Sequence, residues 1–296
     1  MNKDNNNLNN SISPDLKFNS IVVAGIVRNC GEFIIGDIER LKTALQDFDY
    51  LQYLIIESDS TDNTLEKLEY LKNTIQNFHF ISLGALRTSI PKRTERLAFC
   101  RNKYLEEIEN NKLFQNAGYI LISDLDGTNE LLTKENIASC MEINDWDVCT
   151  ANQKGPYYDI WALRHPHLSP NDCWKAYHYM VNELGFKPEL ARKKALKSRM
   201  YWFHKSARPF EVDSAFGGLA IYKRHILNNI RYIGVDENGS EICEHVALNR
   251  QIKEKGGKIY LNPKLINCYP PMQYVKSRPK KILLTLQRYY YNIVED

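Results

Sequence analysis

The sequence predicts an α/β domain with a mainly parallel central sheet flanked by helices. Two observations carry that expectation. Short apolar or β-branched runs alternate with helical stretches through the first half of the chain. Those runs are apolar throughout instead of alternating with polar residues, as strands covered on both faces must be.

Residues 20–27 (SIVVAGIV) form the first strand, bounded by Arg28-Asn29-Cys30-Gly31. Residues 32–46 read as a helix and 51–57 (LQYLIIE) as the second strand. Thr61 or Ser60 caps the next helix, which carries Leu65, Leu68, Leu71 and Ile75 on one face. A third strand at 78–83, a strong helix at 92–109 and a fourth strand at 118–123 follow. Beyond residue 127 the pattern loosens. Residues 146–151 read as a strand, 152–171 as a long ordered loop, and 172–198 as two helices around Gly185. A strand at 216–222 (FGGLAIY), a helix at 241–254 and a short strand at 257–261 complete the series.

The 296 residues and 43% hydrophobic content suffice for one large domain, and no linker divides it. Its expected bounds are 17–275, with the change of character at residue 127. Residues 1–16 are Asn-rich and lack an apolar core, so a disordered tail is expected there. No run of about eighteen apolar residues suggests a transmembrane helix. The formal charge of +3 does not itself argue for a polyanion, and no nucleic-acid partner is expected. Seven Cys are scattered without a CxxC pair. Reduced thiols in a cytoplasmic setting fit that pattern better than a zinc or disulfide framework.

The sharpest chemical signal is Ser123-Asp124-Leu125-Asp126-Gly127, directly after an apolar strand. Ligands of a parallel sheet gather at the carboxyl ends of its strands. Two carboxylates at i and i+2 can share a divalent cation, and oxygen ligands suit Mg²⁺ or Mn²⁺ bridging diphosphate oxygens. A metal at Asp124 and Asp126 would neutralise a departing nucleoside diphosphate. A polar turn closing the strand is the competing explanation.

Glu57-Ser58-Asp59-Ser60-Thr61-Asp62-Asn63-Thr64 also follows a strand. Part of it is a helix start, with capping oxygens and first-turn acid. Glu57 at the strand end is not explained by that role and can accept hydrogen bonds from a base or ribose. Arg101 falls among Leu97, Tyr104 and Leu105 on the apolar face of helix 92–109, so it needs an anionic partner. That partner is either an acid of the sheet such as Asp124 or a diphosphate. Arg93 and Arg96 can serve a phosphate or simply face solvent. Cys243-Glu244-His245 opens a helix. Glu244 or His245 can act as a general base, and His245 as a metal ligand, while a dipole-complementing acid is the simpler account of Glu244. Gly217-Gly218, after Asp213 and Phe216, permits close approach of a ligand to the backbone or marks a bulge. His165-Pro166-His167 has metal-pair spacing but reads as polar surface. No GxGxxG, GxxxxGK[ST] or GxSxG is present.

Taken in order, these segments resemble GT-A glycosyltransferases. Val27-Arg28-Asn29, Ile56 to Thr64, and Ala98-Phe99-Cys100-Arg101-Asn102 resemble motifs of the large inverting family 2-type enzymes. The chain is more closely similar to the fungal capsule mannosyltransferase-like family. Glu57 to Thr64, Arg93 to Asn102, Tyr157 to Arg164, Ala215 to Gly218, Cys243-Glu244-His245 and Gly257 to Pro263 follow that family's pattern, over about residues 20–270. Glu57 replaces the usual Asp of the broad family, Asp124-Leu125-Asp126 is fuller than the fungal pattern, and Gly217 stands where that pattern has Asn.

The resemblance implies a glycosyltransferase moving a hexose, mannose among the options, from a UDP- or GDP-sugar to a hydroxyl of a glycan or lipid-linked acceptor. By resemblance, Val27, Arg28, Glu57, Asp59, Arg96, Arg101 and Asp124 contact the nucleotide-sugar, and Asp124 and Asp126 hold Mn²⁺ or Mg²⁺. Residues 17–127 form the donor half and 128–275 the acceptor half. Asp159, Trp161, Arg164, Asp213, Gly217, Gly218 and His245 line the sugar or acceptor pocket, and Glu244 with Asp126 is catalytic. Stereochemistry stays open: a base role for Glu244 goes with inversion, the fungal pattern with retention. A nucleotidyltransferase or a non-catalytic sugar-binding relative are the rivals. The basic then aromatic segment 276–296 is expected to form a C-terminal helix, either packing on the domain or resting through 276–291 on the cytoplasmic membrane face.

Overall fold

A computed structural model describes residues 20–271. The 1–16 tail, the 276–296 helix and its membrane contact lie outside the described residues. The β-branched run Ser20–Val27 (β1) pairs in parallel with Tyr50–Glu57 (β2), from Ser20 opposite Tyr50 to Val27 opposite Glu57. Phe78–Ser82 (β3) adds to β2, and Tyr119–Ser123 (β4) to the other side of β1, both in parallel. The strands of the second half, Val148–Gln153 (β5), Phe210–Glu211 (β6), Leu219–Lys223 (β7) and Ile259–Cys268 (β8), continue the same sheet. Its order is β3-β2-β1-β4-β7-β5-β8-β6, so one eight-stranded sheet runs through both halves. β7 is antiparallel to both β4 and β5, and β6 to β8; the other pairings are parallel.

Alternate residues of β1 enter two cores, as the two-residue period of a strand requires. Val22 and Ala24 pack with Tyr104, Leu105 and Ile108 of Arg93–Asn110 (here α3) and with Leu248 and Ile252 of Glu244–Glu254 (here α7). Ile21 and Val23 pack on the opposite face with Ile34–Ala44 (α1), Thr64–Thr74 (α2) and Lys134–Met141 (α4). Between these, Cys173–Asn182 (α5) and Pro188–Ala195 (α6) pack on each other. All seven Cys are buried and none is bridged. Among the described residues no helix is long and apolar enough to cross a membrane.

Besides β6, which was not expected, three elements differ from the sequence expectation. α2 begins at Thr64, and neither Ser60 nor Thr61 caps it. Asp62 Oδ1 instead accepts the backbone N–H of Thr64 at 3.0 Å and its hydroxyl at 2.6 Å. Its buried face is Thr64, Leu68 and Leu71, and Leu65 is 41% exposed because it opens onto a cleft, not onto the core. α4 was not expected, yet Thr133 and Asn136 form a reciprocal capping box at its start. β8 is twice as long as the stretch 257–261 suggests, for it runs through Pro263. Register shifts between Thr150 and Asn152 accommodate the missing N–H, and Asn152 Nδ2 donates to the Pro263 carbonyl at 3.1 Å.

Candidate active site

The carboxyl ends of β1 to β4 open on one rim of the sheet. β7 runs the other way, so its entry, Gly217-Gly218, reaches that rim beside Ser123. Most of the carboxylates singled out above gather there, at the ends of β2 and β4 and beside Gly217.

At the β1–β2 end the two loops are stitched together. Asn29, in the left-handed region at φ 53°, accepts the Thr61 N–H at 2.7 Å and donates its own N–H to Ser60 Oγ at 3.1 Å. The Cys30 N–H donates to Thr64 Oγ1 at 2.8 Å, and the Gly31 N–H to Asp62 Oδ2 at 3.1 Å. Beside this seam lies a cleft of about 330 Å³ lined by Arg28, Glu57, Asp59, Leu65, Ser82 and Arg87, among others. Val27, which ends β1, is buried, and Arg28 next to it is exposed.

Glu57 is 1% exposed and held from two sides: Oε1 accepts the Ser60 N–H at 3.0 Å and Oε2 accepts the Ser82 hydroxyl. Asp59 takes the left-handed conformation at φ 59° and accepts the Arg87 N–H at 2.9 Å. Its other oxygen lies 3.7 Å from Arg96 Nε, and Arg96 Nη1 donates to the carbonyls of Ile90 and Pro91. Arg96 is thus taken up by Asp59 and its own loop. The exposed cations of the cleft are Arg28 and Arg87, and Arg87 was not anticipated from the sequence.

At the end of β4, Asp124 is anchored through its backbone N–H, which donates to the Gly218 carbonyl at 2.8 Å. Its side chain is 34% exposed and meets Arg101 Nη2 at 3.4 Å. Burial pushes the Asp124 carboxyl up, to about 7, against the pull of Arg101; the charges of Asp126, Asp159 and Glu244 push the same way as burial. Asp126 is exposed and makes no hydrogen bond or ion pair among the described residues. Leu125 between them is buried against Gly25, where a Cβ would lie 2.7 Å from its Cδ1.

The intruding arginine of α3 has two acidic partners. Arg101, 4% exposed, sits between Asp124 and Glu244, its Nε 3.3 Å from Glu244 Oε1. Phe216 and Tyr232 lie 5.5 Å and 5.6 Å from the guanidinium carbon. Burial opposes its charge, and the Glu244 and Asp124 carboxylates beside it keep it protonated. Glu244 stands at the start of α7 with its side chain only 6% exposed. His245 stacks on Phe216 at 3.8 Å, and neither ring nitrogen finds a hydrogen-bond partner. Burial, then Arg101, pushes its pKa well below the usual value, and its ring packs between Phe216 and Tyr232.

Gly217 and Gly218 both have positive φ, 72° and 85°. A Cβ on Gly217 would meet the Ala151 carbonyl oxygen at 2.6 Å, and one on Gly218 would meet Tyr158 Oη at 3.0 Å. The Gly217 N–H donates to Asp159 Oδ2 at 2.9 Å, and its carbonyl accepts from Gln153 Nε2 and Asn267 Nδ2, both at 2.9 Å. The pair therefore ties Asp124 and Asp159 to one seam. Burial raises the Asp159 carboxyl to about 6, with the Gly217 N–H pulling it back and Glu244 pushing it further.

Trp161 and Arg164 follow on the same loop but turn to a common partner. Trp161 Nε1 donates to Asp172 Oδ2 at 2.9 Å and Arg164 Nη2 to the same oxygen at 3.1 Å. Asp172 Oδ1 meanwhile caps α5 through the N–H groups of Trp174 and Lys175. The three residues form a brace behind the rim, and Asp172 escaped the sequence reading because nothing in a lone Asp announces two distant partners. Asp213 is exposed, and its N–H donates to the Arg164 carbonyl at 2.9 Å.

The donor set at Asp124 and Asp126 is hard oxygen, as Mg²⁺ or Mn²⁺ requires. Among the described residues no three His, Cys, Asp or Glu side chains converge on a metal position. The residues fit an ion that takes most of its ligands from water and a bound diphosphate, the usual habit of Mg²⁺.

No protein-family model and no curated protein matches the chain. Solved structures similar to it include residues 1–349 of S. aureus TarS: 16% identity, 86% of this chain and 62% of that one, TM-score 0.46. A second is the mannosyltransferase PcManGT from Pyrobaculum calidifontis in complex with GDP-Man and Mn²⁺: 14% identity, 93% of this chain and 64% of that one, TM-score 0.46. A third is glucosyl-3-phosphoglycerate synthase from Mycobacterium tuberculosis with UDP: 11% identity, 91% and 80% of the chains, TM-score 0.38. The chain spans less than two thirds of the first two. Likeness of this degree leaves the functional argument to the residues of the rim.

Proposed function

We propose that this chain is a GT-A glycosyltransferase. It moves a hexose, mannose if the fungal-type motifs hold, from a UDP- or GDP-sugar to a hydroxyl of a glycan or lipid-linked acceptor, with Mn²⁺ or Mg²⁺ bound at Asp124 and Asp126. Residues 17–127 hold the donor, residues 128–275 shape the acceptor side, and the protein works in the cytoplasm. The observation that carries the reading is the placement, on one rim, of the Glu57 cleft, the unpartnered Asp126 carboxylate beside Asp124, and the buried Arg101.

In this reading Glu57 and Asp59 orient the nucleoside, and Arg28 and Arg87 face its phosphates. Asp124 and Asp126 would hold a divalent ion, which when bound would neutralise charge on the departing diphosphate. Arg101 fixes the Asp124 carboxylate and, from behind it, offsets the negative charge of the rim. The acceptor proton needs a base within hydrogen-bond reach and with affinity near the working pH. Asp159, half-buried and raised to about 6, meets that description better than Glu244, whose 6% exposed side chain is paired with Arg101. Glu244 is then a positioning residue. Inversion follows from an Asp159 base; retention in the product would return Asp159 to a charge-stabilising role.

The test is a panel of UDP- and GDP-sugars with Mn²⁺, Mg²⁺ or chelator. Thermal stabilisation and nucleoside diphosphate release are the readouts. One nucleotide-sugar should stabilise the protein and be turned over only with the metal. Pyrophosphate release from a nucleoside triphosphate and sugar phosphate would support nucleotidyl transfer instead. Neither binding nor turnover of any donor would overturn the enzyme reading.

A further inference from the structure

We infer that the α5–α6 hairpin is a docking surface for an anionic lipid bilayer. This goes beyond the proposed reaction and does not depend on it. It is also separate from the 276–291 segment.

Charge is the first observation. From Lys187 to Arg208 the chain carries eight Lys or Arg against the single acid Glu189. The whole chain is only +3, so the rest of the molecule is net negative and this stretch is its positive pole. Lys193, Lys194 and Lys197 are exposed. None of the three side chains has an acidic partner among the described residues.

Exposed apolar surface at the same place is the second. Leu184, at the turn between the helices, is 52% exposed, and Tyr179 in the last turns of α5 is 58% exposed. The Leu184 N–H donates to the Tyr179 carbonyl at 3.2 Å, which fixes both at the hairpin tip. Leu190 in the first turn of α6 is 44% exposed. It stands three and four residues before Lys193 and Lys194, so the three share a helix face, while Ala191 and Ala195 face inward. Tyr201 and Trp202, 37% and 67% exposed, continue the surface.

A leucine and tyrosine tip backed by a lysine row matches the two contributions that hold peripheral proteins on membranes. Apolar side chains enter the headgroup region, and cations meet anionic lipid. A soluble polyanion would use the lysines but gain nothing from Leu184, Leu190 and Tyr179. The hairpin is also tied to the rim. Asp172 caps α5 while holding Trp161 and Arg164, and the Tyr157 N–H donates to the Tyr201 carbonyl at 2.7 Å. A bilayer on this surface would lie next to the loop that carries Asp159.

The experiment is vesicle co-sedimentation of the full chain, tail included, with phosphatidylcholine alone or mixed with about one-third phosphatidylglycerol. Binding is expected only to the mixed vesicles, falling with salt. The triple variant Lys193→Ala, Lys194→Ala, Lys197→Ala is expected to lower partitioning at least tenfold. Leu184→Ser with Leu190→Ser, which leaves charge unchanged, is also expected to lower it about tenfold. Unaltered thermal melts show that these exposed sites do not unfold the protein. Unchanged partitioning in both variants assigns any binding to the tail and overturns the proposal. Binding of a soluble polyphosphate that the lysine variant loses and the leucine variant keeps, without vesicle binding, overturns it in favour of a polyanion site.

Discussion

Arg101 stands between Asp124 and Glu244, 3.4 Å from one carboxylate and 3.3 Å from the other, and among the described residues no Lys or second Arg is paired with either. Removing it leaves the buried Glu244 carboxylate uncompensated beside the partly exposed Asp124. Arg101→Ala is expected to cost about 3–5 kcal/mol of stability. Arg101→Lys keeps the charge but cannot reach both partners with a planar fork. That variant should remain folded and lose activity by at least about tenfold, as denaturant melts and donor turnover together would show.

Asp126 offers the converse case. Its side chain is exposed and makes no bond that the fold needs. Asp126→Ala should change stability by less than about 0.5 kcal/mol. Metal-stimulated turnover should nevertheless fall by about a hundredfold or more. Full activity at low Mn²⁺ would remove this residue from the metal site.

Gly217 joins stability to chemistry. Its φ of 72° and the 2.6 Å approach of a Cβ to the Ala151 carbonyl make Gly217→Ala a backbone substitution, expected to cost roughly 1–3 kcal/mol. Because its N–H holds Asp159, the residual folded fraction should also turn over more slowly. A melt together with turnover normalised to folded protein separates the two effects.

Asp159 and Glu244 divide by pH. If Asp159 is the base, the rate should fall on the acid side near pH 6, where burial has placed its carboxyl. Asp159→Asn should remove that limb together with most of the rate. Glu244→Gln should lower the rate while keeping the limb. The opposite pattern in pH–rate profiles would make Glu244 the base.

Asp37 is the stability counterpart. It is 3% exposed, its Oδ2 accepts the Gly127 N–H at 2.8 Å, and burial raises it to about 6. A carboxyl raised on folding binds its proton more tightly in the native state. Its contribution to stability is therefore greatest at low pH and declines as pH climbs from about 4 to about 6, by at most about 3 kcal/mol. Asp37→Asn should be more stable than the parent at pH 7 and lose that advantage by pH 4. Denaturant titrations of both proteins at the two values check it.

The first half of the fold was legible because its strands obey one rule: apolar throughout, each followed by polar loop residues. Glu57, Asp124 and Asp126 could be picked out for the same reason, since a carboxylate at such a strand end has no structural excuse. Arg101 was visible as a cation on an apolar face, and the sequence even pointed to Asp124 as its partner. What stayed hidden depends on long-range contact. Glu244 was singled out, but its pairing with Arg101 shows only when α7 is laid beside α3. Asp172 gathers Trp161 and Arg164 from a separate loop. Leu65 has the spacing of a core residue, but a seam of hydrogen bonds delays the helix and turns it to a cleft. Pro263 reads as a strand end because the bulge that admits it, between Leu261 and Ile266, shows only when β8 is laid beside β5.

β7 enters the sheet against the grain, and this has a consequence for how such a molecule can change. Because it delivers its beginning to the rim, the chain between Trp161 and Asp213 is an excursion that leaves the rim and returns to it. Its tip, from Glu183 to Pro188, is mostly exposed and can be lengthened, shortened or exchanged without touching the Asp172 and Tyr201 contacts that hold the rest in place. Under the proposed reaction, the outer surface of that side is thus free to diversify while the rim stays fixed.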